Sequence, residues 1–144
     1  MYPKIKFTKG LMTKINSNPV EIQTSAKNVL DLLSNFDNFS TLLPPQVTNW
    51  QSTEDSCSFT IQNMATLAMR IKEKSADRLV IESEPPSPFP FELICELEEL
   101  SENSCRSTIR LHAEMSMMIA MMAKNPLQNF VNILNDQLKQ KLES

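Results

Sequence analysis

The ionisable side chains of this chain offer little chemistry, because their spacing puts them on a solvated surface. His112 is the only histidine. It lies between Arg110 and Glu114 in a run that alternates apolar and polar residues, which predicts that all three occupy the wet face of a strand. The glutamates within residues 92–98 belong to the same face, where like charges are solvated and not paired in a cleft. The sequence therefore predicts no catalytic residue, since a histidine-based triad has nothing to build from.

Cysteine and glycine usage argues against bound metals and phosphate-containing cofactors. Cys57, Cys95 and Cys105 are an odd number without a close pair, which fits neither a disulfide framework nor a zinc site. We interpret them as small, reduced residues of the core or strands. Gly10 is the only glycine, so a glycine-rich phosphate-binding loop is excluded. We expect no metal and no cofactor.

Charge and hydropathy exclude two classes of partner. The net charge is −3, and residues 77–102 are strongly acidic, with Arg78 as their only basic residue, so this region would repel a phosphate backbone. We expect no nucleic acid as a partner. No apolar run approaches the roughly 18 residues of a membrane span, and the N-terminus lacks the apolar core of a signal peptide. These features predict a cytoplasmic protein without stable membrane insertion.

The length of 144 residues fits one domain with a substantial core. We predict an N-terminal tail over residues 1–11, which is rich in lysine, and a single domain over 12–144. Its first elements are a strand from Met12 to Thr24 with a bulge or edge at Pro19, a helix from Ala26 to Asn35, and a short helix capped by Asp37 that ends before Pro44-Pro45.

After Pro45 the sequence alternates apolar and polar residues through successive short segments, which predicts antiparallel strands with one dry and one wet face. Short turns make them a meander. A long helix, about Met117 to Leu142, follows. Asn125 caps a helix that starts there, or one longer helix bends at Pro126; we favour the bent helix. The predicted strands are Gln46 to Ser52, Ser56 to Gln62, Thr66 to Ser75, Arg78 to Glu84, Phe91 to Leu97 and Ile109 to Met115.

A curved sheet closed by one late helix tends to leave a hollow between them, and the predicted lining is apolar. A close-packed core is the alternative for the same residues. Alternation does not decide to which side Trp50 points. The predicted ligand-binding residues are Phe59, Ile61, Leu67, Met69, Ile71, Leu79, Ile81, Phe91, Leu93, Ile109, Leu111, Met115, Met118, Met122 and Phe130.

A methionine-rich rim is predicted at one end of the sheet. Alternate turns of a meander lie at the same end, so the turn at 62–65, the proline-rich loop 85–90 and the exit after Met115 converge there. Methionine is flexible and adapts to varied apolar shapes. These residues form a doorway to the hollow, fill an irregular gap, or contact another protein. The predicted entrance residues are Met64, Phe89, Met117 and Met121.

This order of elements resembles the START-like superfamily, or helix-grip fold, which includes pollen allergens, bacterial polyketide cyclases and dehydrases, and lipid-transfer domains. The resemblance covers about Met12 to Leu142, and its local sequences are similar to those of small bacterial members. It implies a seven-stranded antiparallel sheet wrapped around the C-terminal helix over an apolar cavity. The allergens' glycine-rich loop and the cyclases' polar cavity residues have no counterpart, so no catalytic residue is carried over. The local sequences that carry it are Asn18-Pro19-Val20-Glu21-Ile22, Asn35-Phe36-Asp37-Asn38-Phe39 and Leu42-Leu43-Pro44.

These observations favour binding or carriage of an apolar small molecule, a lipid or a polyketide-like compound, without catalysis. One alternative is an enzyme of the polyketide cyclase or dehydrase type, which would need an ionisable or hydroxyl group in the cavity. Another is a protein-interaction module, co-chaperone-like or a homodimer, that uses the methionine-rich rim.

Overall fold

The computed structural model describes residues 11–143. The predicted tail lies outside this range except for Leu11, which begins the first strand, and the domain extent of 12–144 stays a prediction. Eight strands, two α-helices and one 3₁₀ helix are described. In chain order they are β1 (Leu11–Asn16), β2 (Val20–Ile22), α1 (Ala26–Leu33), the 3₁₀ helix (Phe36–Leu42), β3 (Val47–Ser52), β4 (Ser56–Ile61), β5 (Ala65–Lys74), β6 (Arg78–Glu84), β7 (Phe91–Ser101), β8 (Ser104–Met115) and α2 (Met117–Glu143).

The strands form one curved antiparallel sheet in the order β1-β8-β7-β6-β5-β4-β3, with β2 also paired to β8. The α+β helix-grip architecture and the meander are thus confirmed. The predicted strand from Met12 to Thr24 is two short strands that share one edge position. The break covers residues 17–19 and so includes Pro19, where a bulge or edge was predicted. Its first residue, Ser17, donates its backbone N–H to Ile109 O at 2.8 Å, while its hydroxyl accepts from Ile109 N at 2.9 Å.

Capping explains where the two early helices begin. The Ser25 hydroxyl accepts from Asn28 N and caps α1, which ends at Leu33, two residues before the predicted end. The Asn35 side chain accepts from Asp37 N and caps the 3₁₀ helix, so the cap is Asn35 and not the predicted Asp37. Both elements turn their apolar residues into the core beneath the sheet.

The sheet's two faces differ less sharply than alternation predicts. On β8 every second side chain is buried, as expected. On the outer face, however, Val80 and Ile94 are opposite each other and only 2% and 5% exposed. Ion pairs between long side chains flank them, including Lys72–Glu92 at 2.8 Å, and aliphatic stems of such residues cover apolar surface.

The last helix is continuous from Met117 to Glu143 with Pro126 inside it, so the alternative in which a helix starts at Asn125 is wrong. Because proline has no backbone N–H, the Met122 carbonyl receives no hydrogen bond from residue 126. The face of α2 that meets the sheet passes through Ala123, Leu127 and Phe130. No helix within residues 11–143 combines the length and apolar character needed to cross a bilayer.

Candidate functional site

An apolar void lies between the sheet, the proline-rich loop and α2, where the sequence predicts a hollow. Its volume is about 10 Å³, which is room for about one water molecule. The predicted space for a ligand is therefore not open in this structure, because side chains fill it. The void is lined by Phe59, Leu67, Met69, Phe89, Phe91, Leu93, Leu111, Leu127 and Phe130.

Stacked aromatic rings lead from the 3₁₀ helix to this void. Phe39 stacks on Trp50 with ring centroids 6.1 Å apart, Trp50 on Phe59 at 5.4 Å, and Phe59 on Phe130 at 5.8 Å. The last two rings line the void. Stacked pairs at such distances contribute about 0.5–1.5 kcal/mol each beyond their buried area, so the column braces β3, β4 and α2 against one another.

A β-bulge settles the orientation of Trp50. Thr48 is opposite Thr60 and Gln51 is opposite Ser58, so Asn49 and Trp50 together face Phe59. Asn49 has φ 56°, in the left-handed region that asparagine tolerates better than most residues. The extra residue re-aims the strand, and the Trp50 indole stacks inward on Phe59.

The indole N–H of Trp50 is buried and has no hydrogen-bond partner. Within residues 11–143 it is the only buried side-chain nitrogen or oxygen without one. The other buried polar side chains are satisfied: Asn135 donates to Ser107 O at 2.9 Å, and Ser83 Oγ accepts from Phe91 N at 2.9 Å.

Most of the void's lining belongs to the predicted ligand-binding set. Phe89, predicted at the entrance, is buried and lines the void. Leu127 was missed, although its position three residues before Phe130 places both on one helix face. Other predicted residues lie elsewhere: Ile61, Leu79, Ile81, Ile109 and Met115 are buried in the surrounding core, while Ile71 and Met64 are half-buried against it.

The predicted inward orientation of Met118 and Met122 requires a correction. They are 73% and 63% exposed, and Met117 and Met121 are 64% and 77% exposed. The reason is helical periodicity: the inward stripe of this segment consists of Ala120 and Ala123, so the methionines fall on the opposite side. We call the four methionines the exposed methionine face.

The proline-rich loop is docked on the sheet as the meander geometry predicts. The Ser87 hydroxyl donates to Ala68 O and accepts from Ala68 N, both at 2.9 Å. Glu114 N donates to Pro90 O at 3.0 Å, which joins the loop to the end of β8. These bonds hold Phe89 over the void.

Hydrogen bonds tie only one half of α2 to the strands and their connections. Five residues of its C-terminal half make such hydrogen bonds. Within the described part of the chain, residues 117–127 make none apart from the capping bonds of Ile119 N to Ser116 Oγ at 3.2 Å and of Ala120 N to Ser116 O at 2.9 Å. Four of these residues make one bond each: Gln128 to Asn16 O at 2.8 Å, Asn132 from Asn18 N at 3.1 Å, Lys139 to Glu21 O at 2.9 Å, and Glu143 from Gln23 N at 2.8 Å. Asn135 makes four: to Ser17 Oγ at 3.2 Å, to Asn18 O and Ser107 O at 2.9 Å each, and from Ser107 Oγ at 2.7 Å.

Within residues 11–143 no ionisable side chain lines the void, and the buried cysteines are not among its lining residues. Burial raises the pKa of Cys57 to about 12, with a smaller contribution from the charge of Glu84, and burial raises that of Cys95 to about 12. Both thiols are therefore protonated at neutral pH and poor nucleophiles. Within residues 11–143 no cluster of three acidic, histidine or cysteine side chains could hold a metal.

The hydroxyls that a cyclase would need are not at the void. Ser58 and Thr60 belong to the outer face of β4, where Thr60 Oγ1 and Thr66 Oγ1 are 3.0 Å apart. Ser107 is buried but donates to Asn135 Oδ1 at 2.7 Å and does not line the void.

A larger, open groove of about 960 Å³ lies at the charged end of the sheet near the turn between β5 and β6. Two of its arginines form ion pairs with carboxylates: Arg106 with Glu98 at 2.7 Å and Arg110 with Glu96 at 2.6 Å. Because these charges are paired and exposed to water, we assign the candidate site to the interior.

Solved structures share this fold at low sequence identity. Norcoclaurine synthase from Thalictrum flavum, a point mutant in complex with a transition-state analogue, has a TM-score of 0.72 at 9% identity, over 95% of this chain and 98% of that chain. A START superfamily protein from Mycobacterium smegmatis has 0.66 at 14% identity, over 92% and 97%. Zhui aromatase/cyclase from Streptomyces sp. R1128 has 0.70 at 9% identity, over 92% and 94%.

No family model and no curated protein matches the sequence. The structural likenesses establish the START-like helix-grip fold, and at these identities they show the fold alone.

Proposed function

We propose that this protein binds and carries an apolar small molecule, a lipid or a polyketide-like compound, between the sheet and α2 without catalysis. The observation that carries the proposal is a void lined wholly by apolar side chains, beneath a helix segment without polar ties to the sheet. Proteins of this fold include an aromatase/cyclase and a norcoclaurine synthase with a bound transition-state analogue, so in the second case the fold accommodates a small organic molecule.

Binding requires the interior to open, and the N-terminal half of α2 is the element suited to move. Its inward side chains before Leu127 are alanines, and Pro126 removes one helical hydrogen bond at the boundary. Exposing Leu127 costs about 1.5–3 kcal/mol. A ligand that buries about 300 Å² of apolar surface gains about 7.5 kcal/mol, and this gain must offset both that cost and the loss of translational and rotational freedom on association.

Catalysis of the cyclase type would need an ionisable or hydroxyl group at the void, and none of residues 11–143 supplies one to its lining. The lining side chains present only apolar surface to a ligand. Such a surface can retain and release a ligand, but it supplies no group for catalysis.

A homodimer through the exposed methionine face is the second candidate. Four adjacent methionines with Ile119, 37% exposed, form an apolar strip on one helix, and a two-fold axis would pack this strip on its own copy. Light scattering of the native chain and of the Met118→Glu and Met122→Glu variants tests it. A dimer that the variants dissociate supports the idea, and a native chain that is already a monomer rejects it.

Native mass spectrometry of the freshly purified protein, followed by thermal-shift assays with lipid extracts and long-chain hydrocarbons, tests the carrier proposal. We expect a retained apolar molecule or a rise in melting temperature of several degrees. A protein that retains nothing and ignores every apolar compound contradicts the proposal.

A further inference from the structure

We infer that Trp50 is a polar anchor of the interior site, and that the preferred ligands are apolar molecules carrying a hydrogen-bond acceptor such as a carbonyl oxygen. This inference rests on the proposed function and names a ligand class for it. Its basis is the unpartnered indole N–H, which is buried beside the ring column that ends at the void.

A buried donor without a partner is an unfavourable arrangement. Leaving a buried polar group unsatisfied costs about 1–3 kcal/mol, and such groups are rare enough in native structures to need an explanation. All other buried side-chain nitrogens and oxygens within residues 11–143 have partners. The exception is therefore specific to Trp50, and an acceptor supplied from outside the chain would remove the cost.

The backbone around Trp50 is shaped to hold the indole inside. Asn49 at φ 56° and the bulge opposite Phe59 interrupt regular pairing of β3 with β4. Bulges are frequent beside binding sites because they re-aim a side chain. Without the extra residue, regular alternation would put Asn49 and not Trp50 opposite Phe59 on the inner face.

Trp50 is half-buried and does not itself line the void, but its ring stacks on one that does. Its ring stacks at 5.4 Å on Phe59, and Phe59 lines the void together with Phe130. A ligand that enters beneath the N-terminal half of α2 turns the Phe130 side chain away from Phe59, while hydrogen bonds of Gln128 and Asn132 keep the helix backbone in place. This opens the ring column next to the indole. The apolar part of the ligand then takes the void while its oxygen accepts from the N–H.

Two probes of equal heavy-atom number, 2-decanone and undecane, separate the anchor from simple apolar burial. We expect Trp50→Phe, which keeps a ring but removes the N–H, to weaken 2-decanone binding roughly five- to tenfold and undecane binding less than about twofold. Phe39→Leu is the matched control, since it perturbs the same ring column without touching the donor. It should affect both probes equally.

The native chain supplies an independent readout, because Trp50 is its only tryptophan. In ¹H–¹⁵N spectra the single indole signal should move downfield with 2-decanone and much less with undecane. If undecane binds and neither the indole shift nor the Trp50→Phe effect distinguishes the ketone, the anchor is wrong and the carrier proposal stands. If neither probe binds, both are wrong.

Discussion

The Ser107 hydroxyl donates a 2.7 Å hydrogen bond to Asn135 Oδ1, and both residues are fully buried where β8 meets α2. The Asn135 amide also donates to Ser17 Oγ, Asn18 O and Ser107 O. The Asn135 side chain thus supplies hydrogen-bond partners to polar groups between β1 and β2, and it fixes the C-terminal half of α2 to them. Among residues 11–143 the N-terminal half has no equivalent bond to a strand, so α2 is anchored at its C-terminal end.

Replacing Asn135 with alanine should destabilise the fold by about 2–4 kcal/mol, since buried groups of Ser17, Asn18 and Ser107 lose their partner. Urea unfolding measures the change. Asn129→Ala, the same substitution at an exposed position of the same helix, should stay within about 0.5 kcal/mol of the native chain. Equal changes in the free energy of unfolding of the two variants would show that the hydrogen bonds of Asn135 do not stabilise the fold.

Asn135 also illustrates what the sequence could and could not predict. Strands were predictable because each packs one face on the core, so apolar and polar residues alternate along its sequence. Asn135 itself lies on the inward stripe, four residues after Val131 and three before Leu138, so helical periodicity offered a signal for it. The pattern of a polar residue among apolar ones does not name its partners.

Three features of the site depend on packing and had weaker signals. The inward orientation of Trp50 follows from a bulge, which alternation does not encode. The outward orientation of Met118 follows from alanines taking the inner stripe, and hydropathy alone favours methionine inside. The void's small volume depends on how neighbouring side chains interdigitate, which a list of apolar residues leaves open.

Amide hydrogen exchange should reveal the one-ended anchoring of α2. We expect amides of residues 121–125 to exchange at least tenfold faster than those of residues 131–142, because within the described range of 11–143 no polar contact ties the first segment to the sheet. Pro126→Ala restores a donor to the Met122 carbonyl and should slow exchange in the first segment while stabilising the chain by up to about 3 kcal/mol. Uniform protection along the helix would contradict a mobile N-terminal half.

Leu127→Ala should enlarge the void, so that the variant binds undecane more tightly than the native chain does. The deletion costs about 2–5 kcal/mol of stability, and undecane should then raise the melting temperature of the variant more than that of the native chain. Leu138→Ala is the control, since Leu138 is equally buried in α2 but does not line the void. If undecane raised the melting temperature of both variants equally, the binding would not be specific to the void beneath Leu127.

The cysteines should be unreactive in the folded state. Burial raises the pKa of Cys57 and Cys95 to about 12 from an ordinary 9.0, so neither should react with a thiol reagent at pH 8 until the chain unfolds. Since the folded chain keeps these protons longer than the unfolded chain, their stabilising contribution is complete below pH 9 and is lost as the pH rises toward 12. Rapid labelling of the native protein, or stability that increases across this range, would contradict the assignment.

The most direct test of the carrier proposal is a nuclear Overhauser experiment between bound undecane and methyl-labelled protein. Contacts are expected to the methyl groups of Leu67, Met69, Leu93, Leu111 and Leu127, which line the void. Val80 and Ile94, buried on the sheet's outer face, should show none. Contacts confined to the exposed methionine face, or no contacts at all, would contradict binding in the interior.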